Sequence, residues 1–217
     1  DNFYKWFLKK FKPEKLKKVL YAWQLKLKDQ GLNAIYLENH DQPRSLSRFG
    51  SETYHFESGS MLMMLIFTLK GIPFIYQGQA LGMMNVRFDS LSDYQDVETK
   101  NVYELGRKTL KLSHKRMMNK IYKASRDNAR TPLQWNDSPH AGFSKATPWI
   151  KVNENFKTLN IETALKDKGS LLNFTINLIK LRKEEPILTY GDFIPLKAKK
   201  NVYHFKRTYK GETIHVI

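Results

Sequence analysis

The stretch Ala34-Ile35-Tyr36-Leu37-Glu38-Asn39-His40-Asp41-Gln42-Pro43-Arg44 is the part of the sequence that decides the fold. Four apolar residues lead into five polar ones, and a proline then interrupts regular pairing of the backbone. The apolar run predicts a strand over residues 32–37 that is buried on both faces. In α/β enzymes, side chains at the carboxyl end of a parallel strand point into the ligand pocket. His40 and Asp41 are therefore the first candidates for chemistry.

The elements on either side of this stretch predict a parallel α/β arrangement. Pro13 suits the first turn of a helix that is capped near Gly31. The apolar residues of that helix recur at helical spacing and predict its buried face: Leu16, Val19, Leu20, Trp23 and Leu27. A second helix is predicted over 57–70 and a second strand over 72–76. Such a right-handed parallel crossover is typical of a β/α barrel or a doubly wound sheet.

The second half of the chain predicts a long insertion followed by a change of fold. The insertion begins after Tyr76, contains a helix over 102–123, and is loop-like over 126–149. An insertion of this length at the carboxyl end of a strand usually serves function. A helix over 171–183 then precedes three predicted strands of an antiparallel meander: 187–190, 202–205 and 213–217. The predicted domains are therefore residues 1–186 and 187–217.

The composition allows a buried core and excludes several classes of site. Hydrophobic residues make up 41% of the 217 residues, and there is no cysteine. Disulfides and thiolate metal sites are therefore excluded, and a cytoplasmic location is favoured. No apolar run approaches the roughly 20 residues of a membrane span. The histidines lie far apart in sequence, so no metal site and no cofactor are predicted; they include His114, His140, His204 and His215.

The net charge of +16 raises the alternative of nucleic-acid binding, because basic patches neutralise phosphates. The lysines, however, are spread along predicted helix faces, and neither zinc-finger spacing nor an RNA-binding aromatic signature accompanies them. A solvated surface is the simpler interpretation. Nucleic-acid binding predicts strong, salt-sensitive retention on DNA, which would separate the two.

Several segments resemble the alpha-amylase superfamily of glycoside hydrolases. Residues 38–50 resemble the Asn-His-Asp region that ends strand seven of the family's barrel, and residues 71–78 are similar to its strand eight. Three further segments resemble the oligo-1,6-glucosidase and dextran glucosidase branch: 85–88, 126–135 and 140–143. The resemblance implies the last two strands and helices of a (β/α)8 barrel, followed by the start of an antiparallel β domain.

The resemblance also implies retaining hydrolysis of α-glucosides by three carboxylates. Asp41 matches the third of them, which binds sugar hydroxyls and stabilises the transition state. His40 and Arg126 match residues that bind the same non-reducing glucose, and Arg130 is a further candidate for substrate binding. The implied partner is an oligosaccharide, with neither nucleic acid nor a membrane.

The nucleophile and the general acid are not expected among these residues. The resemblance places them at the ends of strands four and five, which would precede Asp1. Glu38 is not expected to replace either of them, because strand residues three apart point to opposite faces. The acidic pair that often follows strand eight is replaced by Gln79-Ala80. The chain, which begins without Met, is expected to be an inactive fragment. Two parallel strands do not close a barrel, and self-association is one way in which the exposed apolar face could be covered.

Three alternative functions stay open at this point. Within the family they are a trehalose-6-phosphate hydrolase and a sucrose isomerase. From another class comes a non-catalytic carbohydrate-binding or transporter-associated homologue that keeps the fold. Assays on isomaltose, trehalose-6-phosphate and sucrose would separate the first two from the main prediction.

Overall fold

The computed structural model describes residues 5–6 and 11–217. Residues 1–4 and 7–10, which belong to the predicted domain 1–186, lie outside the described part. The rest divides into two compact units. The first unit comprises Lys5 and Trp6 with Glu38–Gly59 and Ile75–Asn173; the second comprises the described part of Lys10–Leu37 with Ser60–Phe74 and Phe174–Ile217.

The helices and strands differ from the predicted ones in number as well as in many of their bounds. The helices are α1 (Pro13–Lys26), α2 (Ser45–Phe49), α3 (His55–Thr68), α4 (Val97–Lys108), α5 (His114–Ala124), α6 (Asp127–Arg130), α7 (Ile161–Lys166), α8 (Leu171–Glu184) and α9 (Pro186–Tyr190). Short 3-10 helices cover Leu91–Asp93, Pro139–Gly142 and Glu154–Lys157. The strands are β1 (Ala34–Ile35), β2 (Ile72–Pro73), β3 (Asp192–Pro195), β4 (Phe205–Tyr209) and β5 (Glu212–Val216).

The structure confirms that the two predicted strands of the second unit pair in parallel. β1 and β2 pair in parallel, with Ala34 opposite Ile72 and Ile35 opposite Pro73. Both strands are much shorter than predicted, and the N–H groups of Ile72 and Phe74, on either side of Pro73, donate to the carbonyls of Asn33 and Ile35 at 2.8 Å. The prediction of a strand buried on both faces was wrong: Ile35 is buried, whereas Ala34 is exposed and Tyr36 is 53% exposed.

Helix α1 begins at Pro13 as predicted but ends before Gly31. Its C-cap is Leu27, whose N–H donates to the Trp23 carbonyl. The predicted buried face was partly wrong, since Val19 and Trp23 are exposed. The buried residue of this helix is Gln24, whose side-chain amide donates to the Lys70 carbonyl at 2.7 Å and accepts from the Lys70 N–H at 3.0 Å. A glutamine therefore satisfies the backbone just beyond α3, and apolar spacing alone could not indicate this.

Two buried arginines complete the C-terminal end of α3. Arg182 donates to the carbonyls of Phe67, Leu69 and Gly71. Arg207 donates to the Thr68 carbonyl at 2.6 Å. The last carbonyls of a helix have no partners within the helix, and these guanidinium groups supply partners. Gly71 follows at φ 142°, a left-handed backbone conformation that favours glycine.

The C-terminal residues of the second unit form an antiparallel sheet in the order β3-β4-β5. This confirms the predicted antiparallel meander, although the second predicted strand, 202–205, overlaps β4 only at Phe205. The first predicted strand, 187–190, was wrong. Those residues belong to α9, which has Pro186 in its first turn and buries Ile187 and Leu188. Proline fixes the φ angle that a helix start needs, and two adjacent buried side chains contradict the alternation of a half-buried strand. The sheet itself buries Phe193 and Phe205.

The first unit is helical and irregular. The single helix predicted over 102–123 is two helices, α4 and α5, separated by a turn in which Lys111 adopts φ 52°. Gly106 packs beneath Met117, and a Cβ at that position would collide with the methionine sulfur. Farther along, Leu81, Met83 and Ala164 form a small core. Within the predicted loop 126–149, α6 and the 3-10 helix at 139–142 are the regular elements.

Candidate active site

Asp41 lies in a tight turn between β1 and α2. The side chain of Asn39 accepts a hydrogen bond from the Asp41 N–H at 2.9 Å, and the Asn39 carbonyl accepts one from the Gln42 N–H at 3.2 Å. Asparagine favours such turns because its side chain imitates the backbone. The turn holds the backbone of Asp41 and leaves its side chain, with the carboxylate, 47% exposed.

The four predicted site residues lie together in the first unit. Arg126 Nη1 lies 3.3 Å and Arg130 Nη2 3.0 Å from the same carboxylate oxygen, Asp41 Oδ1. His40 Nε2 lies 3.2 Å from the other oxygen. Arg130 also donates through Nε to the His40 carbonyl at 3.0 Å. Residues 40–41 and 126–130 therefore form one cluster, and the sugar-binding roles of these side chains stay predictions.

The electrostatics of the cluster favour an ionised Asp41. Partial desolvation alone would raise the pKa of Asp41, but His40, a hydrogen bond from Arg126 and the charges of Arg126 and Arg130 outweigh it and lower the pKa. An ionised carboxylate only accepts hydrogen bonds. Asp41 is therefore suited to receive hydrogen bonds from hydroxyl groups and to stabilise positive charge, and it is unsuited to donate a proton.

A second carboxylate, which the sequence interpretation missed, holds Arg126 from the other side. Asp96 Oδ1 lies 2.5 Å from Arg126 Nη2, and the Asp96 side chain is only 1% exposed. Asp96 is the N-cap of α4, and its other oxygen accepts from the Thr99 N–H and hydroxyl at 3.2 and 2.8 Å. An Asp directly before a helical segment is an N-cap signal. It went unused because the helix was predicted to begin at 102.

Glu98 belongs to the outer part of the same cluster. Its Oε2 lies 3.5 Å from Arg126 Nε, too far for a good hydrogen bond. The Lys5 ammonium contacts the same oxygen at 2.6 Å, and the Trp6 indole N–H donates to Oε1 at 2.9 Å. Desolvation would raise the pKa of Glu98, but Lys5 and Trp6 lower it overall.

Glu38 is buried, whereas the nearby Asp41 side chain is exposed, and the strand geometry expected from the sequence is not the reason. The predicted strand would have turned the two side chains to opposite faces, but β1 ends at Ile35 and Glu38 lies in the following bend. Its Oε1 accepts from the Ser45 N–H at 2.9 Å, and its Oε2 finds no hydrogen-bond partner among the described residues. Burial raises the pKa of Glu38 to about 7, although Arg44 and the Ser45 N–H lower it.

Two other kinds of site, metal centres and membrane spans, concern residues 5–6 and 11–217, which the structure describes. In this part of the chain, no three His, Asp or Glu side chains come together as a metal would require. His204 and His215, expected to be scattered, lie 3.3 Å apart, but they are only two. Across the same residues, no helix combines the length and apolarity of a membrane span.

The chain matches known proteins along nearly its whole length. The profile of the family described as "Alpha amylase, catalytic domain" matches residues 1–191. An oligo-1,6-glucosidase of Halalkalibacterium halodurans is 46% identical over 215 residues, which are 98% of this chain and 38% of the relative. A solved trehalose-6-phosphate hydrolase of Bacillus licheniformis superposes with a TM-score of 0.92 at 40% identity, over 98% of this chain and 39% of that structure.

A second solved structure, an isomaltulose synthase of Erwinia rhapontici, superposes with a TM-score of 0.88 at 35% identity, over 96% of this chain and 38% of that structure. The chain thus spans well under half the length of the relatives it matches. The matched family profile covers most of the chain, including α1 to α9, the parallel pair and the Asp41 cluster. On this evidence the chain belongs to the alpha-amylase family and corresponds to part of its catalytic domain.

Proposed function

We propose that the protein carrying this chain is a retaining α-glucosidase that hydrolyses α-1,6 bonds at the non-reducing ends of short glucose chains. The observation that carries the proposal is the Asp41 cluster: an exposed, ionised carboxylate held by Arg126, Arg130 and His40. Relatives named oligo-1,6-glucosidase support the choice of linkage. Because the relatives are much longer, the activity is assigned to the whole protein.

In this proposal Asp41 acts as the transition-state stabiliser. Its carboxylate accepts hydrogen bonds from hydroxyls of the non-reducing glucose, and these bonds strengthen as the ring becomes oxocarbenium-like. Arg126 and Arg130 keep the carboxylate ionised, and His40 offers a ring nitrogen beside it to the same sugar. Hydrogen bonds that are stronger in the transition state than in the ground state are the ones that accelerate the reaction.

The two remaining catalytic carboxylates are proposed to lie elsewhere in the protein. Retention requires a nucleophile and a general acid about 5 to 5.5 Å apart. The resemblance that matches His40 and Asp41 to strand seven assigns those groups to strands four and five. We accordingly propose that residues 1–186 are the C-terminal portion of a (β/α)8 barrel, with β1 and β2 as its last two strands. Residues 187–217 are proposed to begin a β domain. The isolated polypeptide is proposed to be inactive.

The decisive experiment compares the whole wild-type protein with an Asp41→Asn variant on isomaltose, trehalose-6-phosphate and sucrose. The variant is isosteric but carries no charge, and we expect kcat/KM on isomaltose to fall about a hundredfold or more. Asp137→Asn, an exposed position of the same unit, is the matched control and should retain full activity. If Asp41→Asn keeps the activity of the wild type, Asp41 is not the transition-state stabiliser.

The same assay decides between the related functions. Trehalose-6-phosphate hydrolase and isomaltulose synthase are candidates because structures with those names superpose with TM-scores of 0.92 and 0.88. Preference for trehalose-6-phosphate, or conversion of sucrose into an isomer, would select one of them. Glucose binding without turnover of any substrate would instead indicate a non-catalytic carbohydrate-binding or transporter-associated protein.

Location and partners complete the proposal. We propose a cytoplasmic protein whose partner is an oligosaccharide, supported by the absence of cysteine from the sequence and by the relatives' names. The net charge of +16 is proposed to solvate the surface. Retention on DNA that persists above modest salt would contradict this part. Sedimentation of the purified chain would test whether it self-associates.

A further inference from the structure

We infer that Asp96 is a positioning residue that sets the guanidinium group of Arg126 against Asp41. The catalytic consequence of this inference rests on the proposed glycosidase function. The geometric part concerns only the described residues of the first unit and can be tested without turnover.

The two carboxylates hold Arg126 unequally. The contact with Asp96 is 2.5 Å and that with Asp41 is 3.3 Å. Asp96 is 1% exposed, whereas Asp41 is 47% exposed. Charge-assisted hydrogen bonds are strongest when they are short and shielded from water. Arg126 is therefore anchored on Asp96, and Asp41 receives the opposite nitrogen of the same group.

The anchor itself is fixed by its neighbours. Thr99 binds the second oxygen of Asp96 through both its N–H and its hydroxyl. That hydroxyl lies 2.8 Å from the Ser125 hydroxyl. The Asp96 N–H donates to Asp127 Oδ2 at 2.8 Å, and the Gln95 N–H donates to the same oxygen at 2.7 Å. These contacts hold both the backbone and the carboxylate of Asp96, so its carboxylate has one available orientation.

A guanidinium group is planar and rigid, so fixing one of its nitrogens restricts where the others can point. With Nη2 held by Asp96, Nη1 of Arg126 is directed to Asp41 Oδ1. Arg130 differs, because its contacts with Asp96 and Asp127 are long, at 4.0 and 3.9 Å. Asp96 therefore acts on Asp41 chiefly through Arg126, and its own side chain is only 1% exposed.

The test uses two substitutions in the whole protein. Asp96→Asn keeps the size of the side chain and removes its charge. Asp96→Ser removes the anchor but keeps an oxygen that can cap α4, so it protects against loss of the helix. Glu104→Gln, at an exposed carboxylate of the same helix paired with Lys108, is the matched control. Circular dichroism and unfolding identify which variants are folded.

The first readout is the nuclear magnetic resonance of ¹⁵N-labelled arginine side chains, with the Arg126 signals assigned from Arg126→Lys. We expect separate, slowly exchanging Nη–H signals for Arg126 in the wild type and in Glu104→Gln, and averaged signals in Asp96→Ser and Asp96→Asn. A purely structural role in capping would leave the Arg126 signals of a folded variant unchanged. Unchanged signals would overturn the inference.

The second readout is steady-state kinetics on isomaltose. Misplacing Arg126 should lower kcat about 10- to 100-fold, with a much smaller change in KM, because the lost interaction belongs mainly to the transition state. Wild-type kcat in a folded Asp96 variant would overturn the inference, even if the proposed function holds. A wild-type protein that turns over no α-glucoside would defeat the proposed function, and the resonance experiment would still decide whether Asp96 anchors Arg126.

Discussion

Arginine side chains are held in two different ways in the two units. In the first unit, Arg126 lies between carboxylates, and its pKa is raised, chiefly by the hydrogen bond to Asp96 and despite partial burial. In the second unit, Arg207 is fully buried among backbone carbonyls, and burial lowers its pKa to about 10. Arg207 donates to the carbonyls of Thr68, Leu188 and Gly191 and keeps almost no donor free.

The difference separates arginines that serve a site from arginines that serve the fold. A guanidinium held by carboxylates at a partly exposed edge can exchange a contact with a ligand at small cost. A buried guanidinium that satisfies helix-end carbonyls has no such freedom, because losing it leaves those carbonyls without partners. Substitutions should therefore have opposite signatures in the two units.

The largest effect is expected for Arg126→Ala in the whole protein. Because Asp41 then loses one of its two arginines, we expect kcat/KM on isomaltose to fall about a hundredfold. The midpoint of chemical denaturation should fall less than in Arg207→Ala, because Thr99 still donates two hydrogen bonds to the buried Asp96 carboxylate. A variant that loses much stability but keeps its activity would contradict this prediction, because Arg126 would then stabilise the fold and not the site.

The converse is expected for Arg207→Ala. Four hydrogen bonds from a buried cation are lost and their acceptors stay buried, so unfolding should become easier by about 3 kcal/mol. Denaturant unfolding monitored by circular dichroism measures the change. Arg116→Ala, at an exposed arginine of α5, is the control and should change the free energy of unfolding by less than about 0.5 kcal/mol.

Arg44 is an intermediate case, because carbonyls of Gln77 and Asn128 hold it and Glu38 lies nearby. Burial raises the pKa of Glu38 from 4.5 to about 7. The folded protein therefore binds this proton more tightly than the unfolded chain does. The stability that Glu38 contributes is complete below about pH 4.5 and is lost as the pH rises through about 7.

Glu38→Gln should remove this pH dependence, because the amide oxygen can still accept from the Ser45 N–H and has no proton to lose. Between pH 4.5 and 8 we expect the wild type to lose roughly 2–3 kcal/mol relative to the variant. Parallel pH series of denaturant unfolding measure this. If the two curves stay parallel, folding does not raise the pKa of Glu38, which is then ionised at neutral pH and can pair with Arg44 as a carboxylate.

The smallest effect is expected for an exposed ion pair of the first unit. Lys108 and Glu104 form an exposed ion pair four residues apart on α4. Lys108→Ala should change the free energy of unfolding by only about 0.3 kcal/mol. A shift of several times that size in thermal or denaturant unfolding would mean that ion pairs stabilise the first unit generally, and that Arg126 is unexceptional there.

The sequence predicted the elements that carry strong local signals. Pro13 and the α3 pattern located helices, and the turn at Lys210-Gly211, where both residues adopt positive φ, joins the two strands predicted around it. The prediction failed at 187–190, where β-branched and aromatic residues favour a strand but Pro186 and one-sided burial favour a helix. It also failed at 109–113, where nothing in the spacing of apolar residues marks the break between α4 and α5.

The site was predictable to the extent that its residues lie in recognisable segments. His40, Asp41, Arg126 and Arg130 were chosen from such segments, and the structure brings all four together. Asp96 was not chosen, because its contact with Arg126 spans 30 residues and depends on where α4 begins. Gln24, Arg182 and Arg207 were missed for a related reason: polar side chains that satisfy distant carbonyls leave no periodic signal in sequence.

The turn between α4 and α5 has a kinetic consequence. It folds the two helices back so that Tyr103 contacts His114, only 11 residues away, and the Asp96–Arg126 contact closes across 30 residues. The bond from Arg207 to Thr68 closes across 139. Loop closure over the longer distance costs about 1.4 kcal/mol more in chain entropy, and local contacts form sooner. The guanidinium that faces Asp41 should therefore be in place early in folding, before the end of α3 acquires its buried arginines.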